Sequence, residues 1–147
     1  MHPLLQQAMR ADLPFAGELS PADAFTLMLE DAAVLMIDVR TDAERAWVGK
    51  PDLPPSRMHA IEWNRWPGGV RNPDFLTQLQ SVAKPEQALL FLCRSGVRSR
   101  QAAEAARNAG FMLCFDILQG FEGDKDSAGH RKTLGGWCVA GLPWVGA

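Results

Sequence analysis

The sequence has no tyrosine, only three cysteines and three histidines, and almost no excess of charge of either sign. Its 15 lysines and arginines face 17 aspartates and glutamates, so the formal net charge is −2. Proteins that bind nucleic acids or anionic membrane surfaces usually carry a basic face. The longest apolar runs, Ala32–Ile37 and Ala88–Cys93, are also far too short to span a bilayer. We therefore expect neither a nucleic-acid partner nor a membrane partner.

The chain also lacks a recognisable targeting segment and a disulfide framework. Met1–Arg10 contains polar residues and no uninterrupted apolar stretch, so it is unlike a signal peptide. Cys93, Cys114 and Cys138 cannot all pair within one chain, and their spacing matches no metal-binding motif. These absences predict reduced thiols, a cytoplasmic location and no bound metal.

Length and composition predict one compact domain. With 47% hydrophobic and 22% charged residues, the 147-residue chain is typical of a globular protein rather than a disordered one. Short apolar runs alternate with amphipathic segments, a pattern typical of a parallel sheet covered on both faces by helices. We therefore predict a single α/β domain over residues 1–147, with an N-terminal extension at 1–17.

Local signals predict the positions of the individual elements. Ser20 and Pro21 are typical of the beginning of a helix. The apolar run Val34–Ile37 predicts a central strand. Thr41 followed by Glu44 is a capping box, which begins another short helix. Further predictions are a strand at 58–62, a helix begun by Asn72 and Pro73, strands at 88–92 and 113–118, a helix at 99–109 stopped by Gly110, and a closing helix at 137–140.

The loop between the strand at 88–92 and the next helix carries the strongest chemical signal. Ligands of open α/β sheets bind at such loops, where unpaired N–H groups and the positive helix end favour anions. Cys93 begins the loop, and the charges of Arg94 and Arg98 favour its thiolate, the reactive form of cysteine. Gly96 allows the backbone to turn its N–H groups toward one centre. The predicted site has Cys93 as nucleophile and an anion-binding loop of Arg94, Ser95, Gly96, Val97, Arg98 and Ser99.

A buried cysteine without chemistry is the alternative interpretation of each thiol. It suits Cys114, which lies within a predicted strand, and it suits Cys138. For Cys93 it leaves the two arginines, the serine and the glycine that follow unexplained. We therefore favour a reactive role for Cys93 alone.

Several segments, in this order, resemble the rhodanese family of sulfurtransferases. The cysteine loop is the most specific of them, and together they cover roughly residues 18 to 145. The resemblance implies a rhodanese-like α/β fold, with a five-stranded parallel sheet flanked by helices on both faces. The matching segments are Ile37-Asp38-Val39-Arg40, Cys93-Arg94-Ser95-Gly96-Val97-Arg98-Ser99, Leu118-Gln119-Gly120-Phe121, Gly135-Gly136-Trp137 and Ala140-Gly141-Leu142-Pro143.

The resemblance also implies a reaction. Cys93 would take the outer sulfur of thiosulfate or of a persulfide donor and hold it as a persulfide. A thiol, cyanide or a protein would then accept that sulfur. The resemblance implies a small anionic donor, no cofactor, no metal and no obligatory general base, and we expect a monomer.

Other functions agree less well with the sequence of this loop. Cysteine-dependent phosphatases and arsenate reductases resemble one another in a His-Cys pair followed, after five residues, by arginine. Here Leu92 precedes Cys93 and Ser99 stands six positions after it, so the spacing disfavours them. A rhodanese-like module that only binds a partner, or a dedicated sulfur carrier, stays open as an alternative. A thioredoxin-like enzyme is excluded because no Cys-x-x-Cys pair exists.

Three further features carry weaker predictions. Asp38 and Arg40 end a strand at the same sheet edge as the cysteine loop, and we favour a supporting ion pair over a direct catalytic role. His59 lies where the family usually has a Gly-His-Ile-Pro-Gly-Ala stretch, and packing explains a lone histidine there better than catalysis does. Residues 122–135 form an insert before the closing helix, either a flap beside the Cys93 loop or a surface excursion.

Overall fold

The computed structural model describes residues 1–146 and contains five helices and nine short strands. The helices are α1 (Pro3–Ala8), α2 (Pro21–Glu30), α3 (Asp42–Val48), α4 (Phe75–Val82) and α5 (Val97–Asn108). The strands are β1 (Gly17–Leu19), β2 (Leu35–Asp38), β3 (Lys50–Pro51), β4 (Met58–Ala60), β5 (Asn64–Arg65), β6 (Val70–Arg71), β7 (Leu89–Leu92), β8 (Cys114–Ile117) and β9 (Trp144–Val145). Within this described part of the chain, no helix is long and apolar enough to cross a membrane.

A five-stranded sheet forms the centre of the molecule. Its order is β1-β8-β7-β2-β4, and every neighbouring pair is parallel. The central strands β2, β7 and β8 are buried along their whole length, as expected of a sheet covered on both faces. The predicted α/β fold with a five-stranded parallel sheet is therefore confirmed. Two small antiparallel pairs, β3 with β9 and β5 with β6, lie outside this sheet.

Hydrophobic cores lie on the two faces of the sheet. Side chains alternate along each strand, so Ile37 and Phe91 belong to one core whereas Met36 and Leu90 belong to the other. Helices α4 and α5 cover the first face, where three alanines of α5 allow close approach to the sheet. Helices α1 and α2 cover the second face. This packing fixes the carboxyl ends of β2 and β7 side by side at one edge.

The helix-start signals act as the sequence predicts. The Ser20 hydroxyl accepts a hydrogen bond from the Asp23 N–H, at 3.1 Å, and Pro21 is the first residue of α2. The Thr41–Glu44 capping box of α3 is complete, because each side chain accepts from the other residue's backbone N–H. Gly110 follows α5 with φ +106°, the left-handed conformation that commonly ends a helix.

Three predictions for individual elements differ from the structure. Residues 137–140 form turns rather than a closing helix, because glycines on both sides leave too few residues to propagate one. Asp74, rather than Asn72 or Pro73, is the N-cap of α4; the Asn72 side chain instead accepts from the Asp74 N–H. Residues 1–17 do more than extend the chain, since they form α1, which buries Leu5, and lead into β1.

Candidate active site

The Cys93 loop lies where a buried strand meets a helix. Cys93 follows β7 directly, and α5 begins four residues later at Val97. Gly96 is the N-cap and has φ +112°, a conformation that a side chain would strain. In the part of the chain that the structure describes, no side chain caps this helix. The first N–H groups of α5 therefore have no intrahelical acceptor and are available to an anion.

The Cys93 sulfur lies at the bottom of this loop. The Gly96 N–H donates to Sγ at 3.0 Å, and Sγ lies 3.2 Å from the Ser99 hydroxyl oxygen. Only 1% of Cys93 is exposed, so the loop encloses the sulfur. An N–H donor and the positive end of α5 both stabilise negative charge on sulfur. The arrangement places a thiol beside groups that would stabilise a negative charge on its sulfur.

The segment that follows β8 anchors the backbone of the Cys93 loop through hydrogen bonds. The Phe121 N–H donates to the Cys93 carbonyl at 2.8 Å. The Glu122 and Gly123 N–H groups donate to the Arg94 carbonyl at 2.9 and 3.2 Å. Because these two carbonyls are bound on the outside, the loop N–H groups can converge on the inside.

Arg98 is tied to α3. Its guanidinium donates to both carboxylate oxygens of Glu44, at 2.6 and 2.9 Å, a bidentate ion pair. Burial opposes the charge of Glu44, but the hydrogen bonds and charge of Arg98 outweigh it and lower the pKa of Glu44 to about 2. Arg98 therefore links the loop helix to the capping box of Thr41, and much of its charge is compensated.

Replacing Glu44 by glutamine should destabilise the protein in a pH-dependent way. The lowered pKa means that the carboxylate stabilises the fold above about pH 4.5 and loses this contribution as pH falls toward 2. We expect Glu44→Gln to lower the free energy of unfolding by about 2 kcal/mol at pH 7, a discounted figure for a half-buried pair. Urea unfolding at pH 7 and pH 3 measures it. The exposed Glu104→Gln on α5 is the control, and an equal loss at both pH values would contradict the prediction.

Arg94 stands at the rim of an open pocket. Its side chain is exposed, and the pocket of about 320 Å³ extends from it toward α3. Trp47 and Trp66 form one wall, with 70% and 61% of their surfaces exposed and their rings in an edge-to-face pair. The pocket is lined by Thr41, Ala43, Glu44, Trp47, Asn64, Arg65, Trp66, Gly69, Arg94 and Arg98. A cationic rim beside apolar rings suits an organic anion.

The Asp38–Arg40 ion pair is buried beside the Cys93 loop. Both side chains are fully buried, and the Arg40 guanidinium donates to the two Asp38 oxygens at 3.0 and 2.8 Å. The guanidinium also lies 4.3 Å above the Phe121 ring, next to the segment that holds the Cys93 loop. In register, Asp38 is paired with Leu92, the residue before Cys93. These contacts agree with the structural interpretation of the pair.

A family model for the rhodanese-like domain matches residues 21–127, which is most of the chain and includes the whole loop. The chain belongs to the rhodanese-like family. An uncharacterized protein from Rickettsia rickettsii is 32% identical over 124 residues, covering 82% of this chain and 90% of the relative.

Solved structures share this rhodanese-like fold. The crystal structure of Rv0390 from M. tuberculosis has a TM-score of 0.81 and 36% identity, covering 90% of this chain and 99% of that one. A polysulfide-sulfur transferase homodimer from Wolinella succinogenes has a TM-score of 0.63 and 23% identity, covering 97% and 85%. A possible tyrosine phosphatase from Rhodopseudomonas palustris has a TM-score of 0.57 and 24% identity, covering 95% and 89%. The last two likenesses show the fold alone.

The remaining members of the predicted loop differ in position. Ser99 is fully buried beside the sulfur, whereas Val97 is 64% exposed and Ser95 is half-buried. Ser99 therefore contacts the Cys93 sulfur directly, and Val97 is the first residue of α5. The rhodanese-like loop thus brings Cys93, Gly96 and Ser99 together, whereas the guanidinium of Arg98 is held by Glu44.

The other two cysteines lie outside the rhodanese-like loop. The Cys114 thiol is buried in β8 and bonds the Phe111 carbonyl at 3.1 Å. Burial raises the pKa of Cys114 to about 12, so its thiolate is not accessible near neutral pH. Burial also raises the pKa of Cys138, which packs against the second core. These environments agree with packing roles.

Two other predicted features lie outside the Cys93 loop itself. His59 belongs to the edge strand β4 and lines a different pocket, with Asp42 and Glu62 among its neighbours. The insert at 122–135 begins with the two residues that bind the Arg94 carbonyl, and its Arg131 donates back to the Gly123 carbonyl at 2.8 Å. One end of the insert thus contacts the loop backbone, and a role as a flap stays a prediction.

Asp116 is the site residue that sequence reasoning missed. It lies in β8, is 1% exposed, and accepts a 2.5 Å hydrogen bond from the Ser99 hydroxyl. Burial outweighs the opposing effects of Ser99 and Arg100 and raises the pKa of Asp116 to about 7. The one available signal was an aspartate in an otherwise apolar strand, Cys114–Ile117. A charged residue in a buried strand indicates a specific partner.

Proposed function

We propose that this rhodanese-like protein is a sulfurtransferase that carries sulfane sulfur as a persulfide on Cys93. The observation that carries the proposal is the contact of the Cys93 sulfur with the Gly96 N–H at the uncapped beginning of α5. This arrangement stabilises negative charge on sulfur, and both the attacking thiolate and the persulfide are anions. The donor would be a small anion such as thiosulfate or a persulfide.

In the first half-reaction the Cys93 thiolate attacks the outer sulfur of thiosulfate. A new S–S bond forms to Cys93 while the S–S bond of the donor breaks, and its electron pair leaves with sulfite. The loop N–H groups and the positive end of α5 would stabilise the charge during this step. Because only 1% of Cys93 is exposed, a single terminal sulfur atom suits the opening better than a bulky group.

In the second half-reaction a nucleophile removes the sulfur. A thiolate or cyanide attacks the outer sulfur of the persulfide, the Cys93–sulfur bond breaks, and Cys93 leaves as a thiolate. The pocket between Arg94 and the Trp47–Trp66 pair lies beside the loop and offers a binding surface for such an acceptor. A thiol with an apolar body and a carboxylate would match its rings and its exposed arginine.

Phosphate chemistry fits this loop less well. A phosphatase of this architecture needs a guanidinium six residues after the cysteine to hold the phosphoryl oxygens, and Ser99 occupies that position. Arg98, one residue earlier, has both arms of its guanidinium on Glu44. A protein that only binds a partner would not need a nucleophile in an anion-stabilising loop, although a dedicated sulfur carrier would.

The test is a thiosulfate-to-cyanide transfer assay with the purified full chain, together with its intact mass after treatment with thiosulfate. We expect turnover and a mass gain of one sulfur. Both should fall to background in Cys93→Ser and stay unchanged in Cys114→Ser, which removes a thiol of the same sheet away from the loop.

Each other outcome has a defined meaning. A mass gain that survives in Cys93→Ser would overturn the assignment of the nucleophile. No mass gain with thiosulfate, glutathione persulfide or polysulfide would overturn sulfur transfer. A mass gain without turnover to cyanide or to any thiol would replace the enzyme with a carrier that needs a specific protein acceptor.

A further inference from the structure

The buried side chains behind the nucleophile form a continuous hydrogen-bonded chain. The Ser99 oxygen lies 3.2 Å from the Cys93 sulfur, and the Ser99 hydroxyl donates to Asp116 Oδ1 at 2.5 Å. All three residues are at most 1% exposed. Ser99 has one hydroxyl proton, and an ionised carboxylate can only accept. The hydroxyl therefore donates to Asp116, which leaves its oxygen lone pair facing the Cys93 thiol as an acceptor.

We propose that Asp116 receives the proton of the Cys93 thiol through Ser99, and returns it when Cys93 leaves at the end of a catalytic cycle. The Cys93 S–H bond breaks and its proton moves to Ser99 Oγ, while the Ser99 hydroxyl proton moves to Asp116 Oδ1. The electron pair of the S–H bond stays on sulfur as the thiolate, and Asp116 becomes a neutral carboxylic acid. Asp116 does not touch the sulfur. It is a positioning residue that acts on the Cys93 thiol through Ser99.

The surroundings of Asp116 suit this exchange. Its second oxygen, Oδ2, is buried and has no hydrogen-bond partner within residues 1–146. An unsatisfied buried oxygen makes the carboxylate costly, so accepting a proton relieves that cost. The raised pKa of Asp116, about 7, agrees with a group that exchanges a proton near neutral pH. The thiolate gains stabilisation from the Gly96 N–H at the same time.

The charged side chains near Asp116 pair mainly with each other. Arg100 of α5 lies 3.9 Å from Oδ2, but its guanidinium is bonded to Glu18 at 2.5 Å. Glu18 of β1 is the residue paired with Asp116 in register, and its charge raises the pKa of Asp116. On the β7 side the paired residue is the apolar Phe91. Asp116 therefore shares Arg100 with Glu18, and its own ion pair with that guanidinium is the longer of the two.

Charged side chains also lie near Cys93, at the other end of the hydrogen-bonded chain. Arg98 is within electrostatic range of both Cys93 and Asp38, but its two arms bind Glu44 and its pKa is raised first of all by that bond. Asp38 is itself paired with the buried Arg40. The direct partners of the sulfur are therefore the Gly96 N–H and the Ser99 hydroxyl.

The inference rests on the proposed function only in taking Cys93 as the nucleophile, so the test uses no sulfur donor. The rate of alkylation of Cys93 by iodoacetamide is followed from pH 5 to 10 by mass spectrometry of the Cys93 peptide. When two acids share protons, thiolate appears in two steps, one for each proton lost by the pair. We expect two inflections in the wild-type profile and one in Asp116→Asn, which has nearly the same volume.

Two further variants separate the hydrogen-bonded chain from a charge effect through space. Ser99→Ala removes the connecting hydroxyl and should also lose the lower inflection. Glu18→Gln keeps the chain of bonds but removes the neighbouring charge, so both inflections should stay and the lower one should move to lower pH. Circular dichroism and the unfolding transition of each variant would verify that it is folded.

Two outcomes would overturn the inference. Asp116 accepts no proton from Cys93 if the Asp116→Asn profile keeps two inflections. The same holds if the wild-type profile has a single inflection that Asp116→Asn only moves to lower pH, because Asp116 then acts as a fixed charge. If Ser99→Ala keeps the wild-type profile, Ser99 does not couple Asp116 to the Cys93 sulfur, and the proposed chain has no role. A profile with one inflection in both variants, together with no sulfur transfer by the wild-type protein, would support the coupling of Asp116 to Cys93 through Ser99 and remove the proposed function, so the two ideas fail separately.

Discussion

Replacing Arg40 by alanine is expected to lower the free energy of unfolding by about 3–5 kcal/mol, because it leaves a buried carboxylate without its partner. Arg40 and Asp38 are both fully buried, and two hydrogen bonds at 3.0 and 2.8 Å join them. The variant also removes the guanidinium that covers the Phe121 ring at 4.3 Å. Urea unfolding at pH 7 measures the change.

Two controls separate the loss of the partner from the loss of charge or volume. Arg10→Ala breaks the pairs of the exposed Arg10 with Asp12 and Glu18, and it should lower the unfolding free energy much less. The double variant Asp38→Leu, Arg40→Met replaces the whole pair by apolar groups and should recover most of the loss. An Arg40→Ala variant as stable as wild type would mean that water reaches the Asp38 carboxylate and replaces the guanidinium.

Sequence signals that involve only a few neighbouring residues were sufficient to predict much of the fold. The capping box of Thr41 and Glu44 gave the beginning of α3, and the apolar runs gave the central strands β2, β7 and β8. The position of the Cys93 loop between a strand and a helix could be predicted for the same reason, because its cysteine, arginines and glycine are consecutive in the sequence. Such features depend on local geometry, which the sequence determines almost directly.

Features that depend on contacts distant in the chain could not be predicted. Glu44 and Arg98 are 54 residues apart, so the ion pair that compensates Arg98 has no local signal. Ser99 and Asp116 come from a helix and a strand that meet only in the folded domain. Strand β1 has three residues, too few for a periodic pattern to distinguish it from a loop.

The loop is thus defined as much by its anchors as by its own residues. Its carbonyls are held by the segment after β8, its helix is held by Glu44 of α3, and its sulfur faces Ser99. Under the proposed function the Cys93 sulfur accepts and releases a sulfur atom, and it would need a fixed set of donors, because donors that reorient during a reaction stabilise the transition state less. We therefore expect that substitutions in the segments that anchor the loop lower the rate of sulfur transfer.

Gly120→Ala tests that conclusion and should lower sulfur transfer by about 100-fold, the effect of displacing a reacting group by about 1 Å. Gly120 has φ +62°, and a Cβ there would lie 2.5 Å from the Cys93 carbonyl oxygen and 2.6 Å from the Arg94 carbonyl. Neither backbone can yield without moving the loop, so the Phe121–Cys93 hydrogen bond and the convergent N–H groups would both shift. The transfer assay and the mass gain on Cys93 measure the loss.

The matched control is Gly110→Ala, at the end of α5. Gly110 has φ +106°, so alanine is strained there as well, but its Cβ would meet no atom within 4 Å. Both variants should lose stability through the left-handed backbone, at about 1–2 kcal/mol, whereas only Gly120→Ala should lose transfer. Equal activity in the two variants would mean that the loop tolerates displacement, and the anchoring of the loop from β8 would then have no part in the reaction.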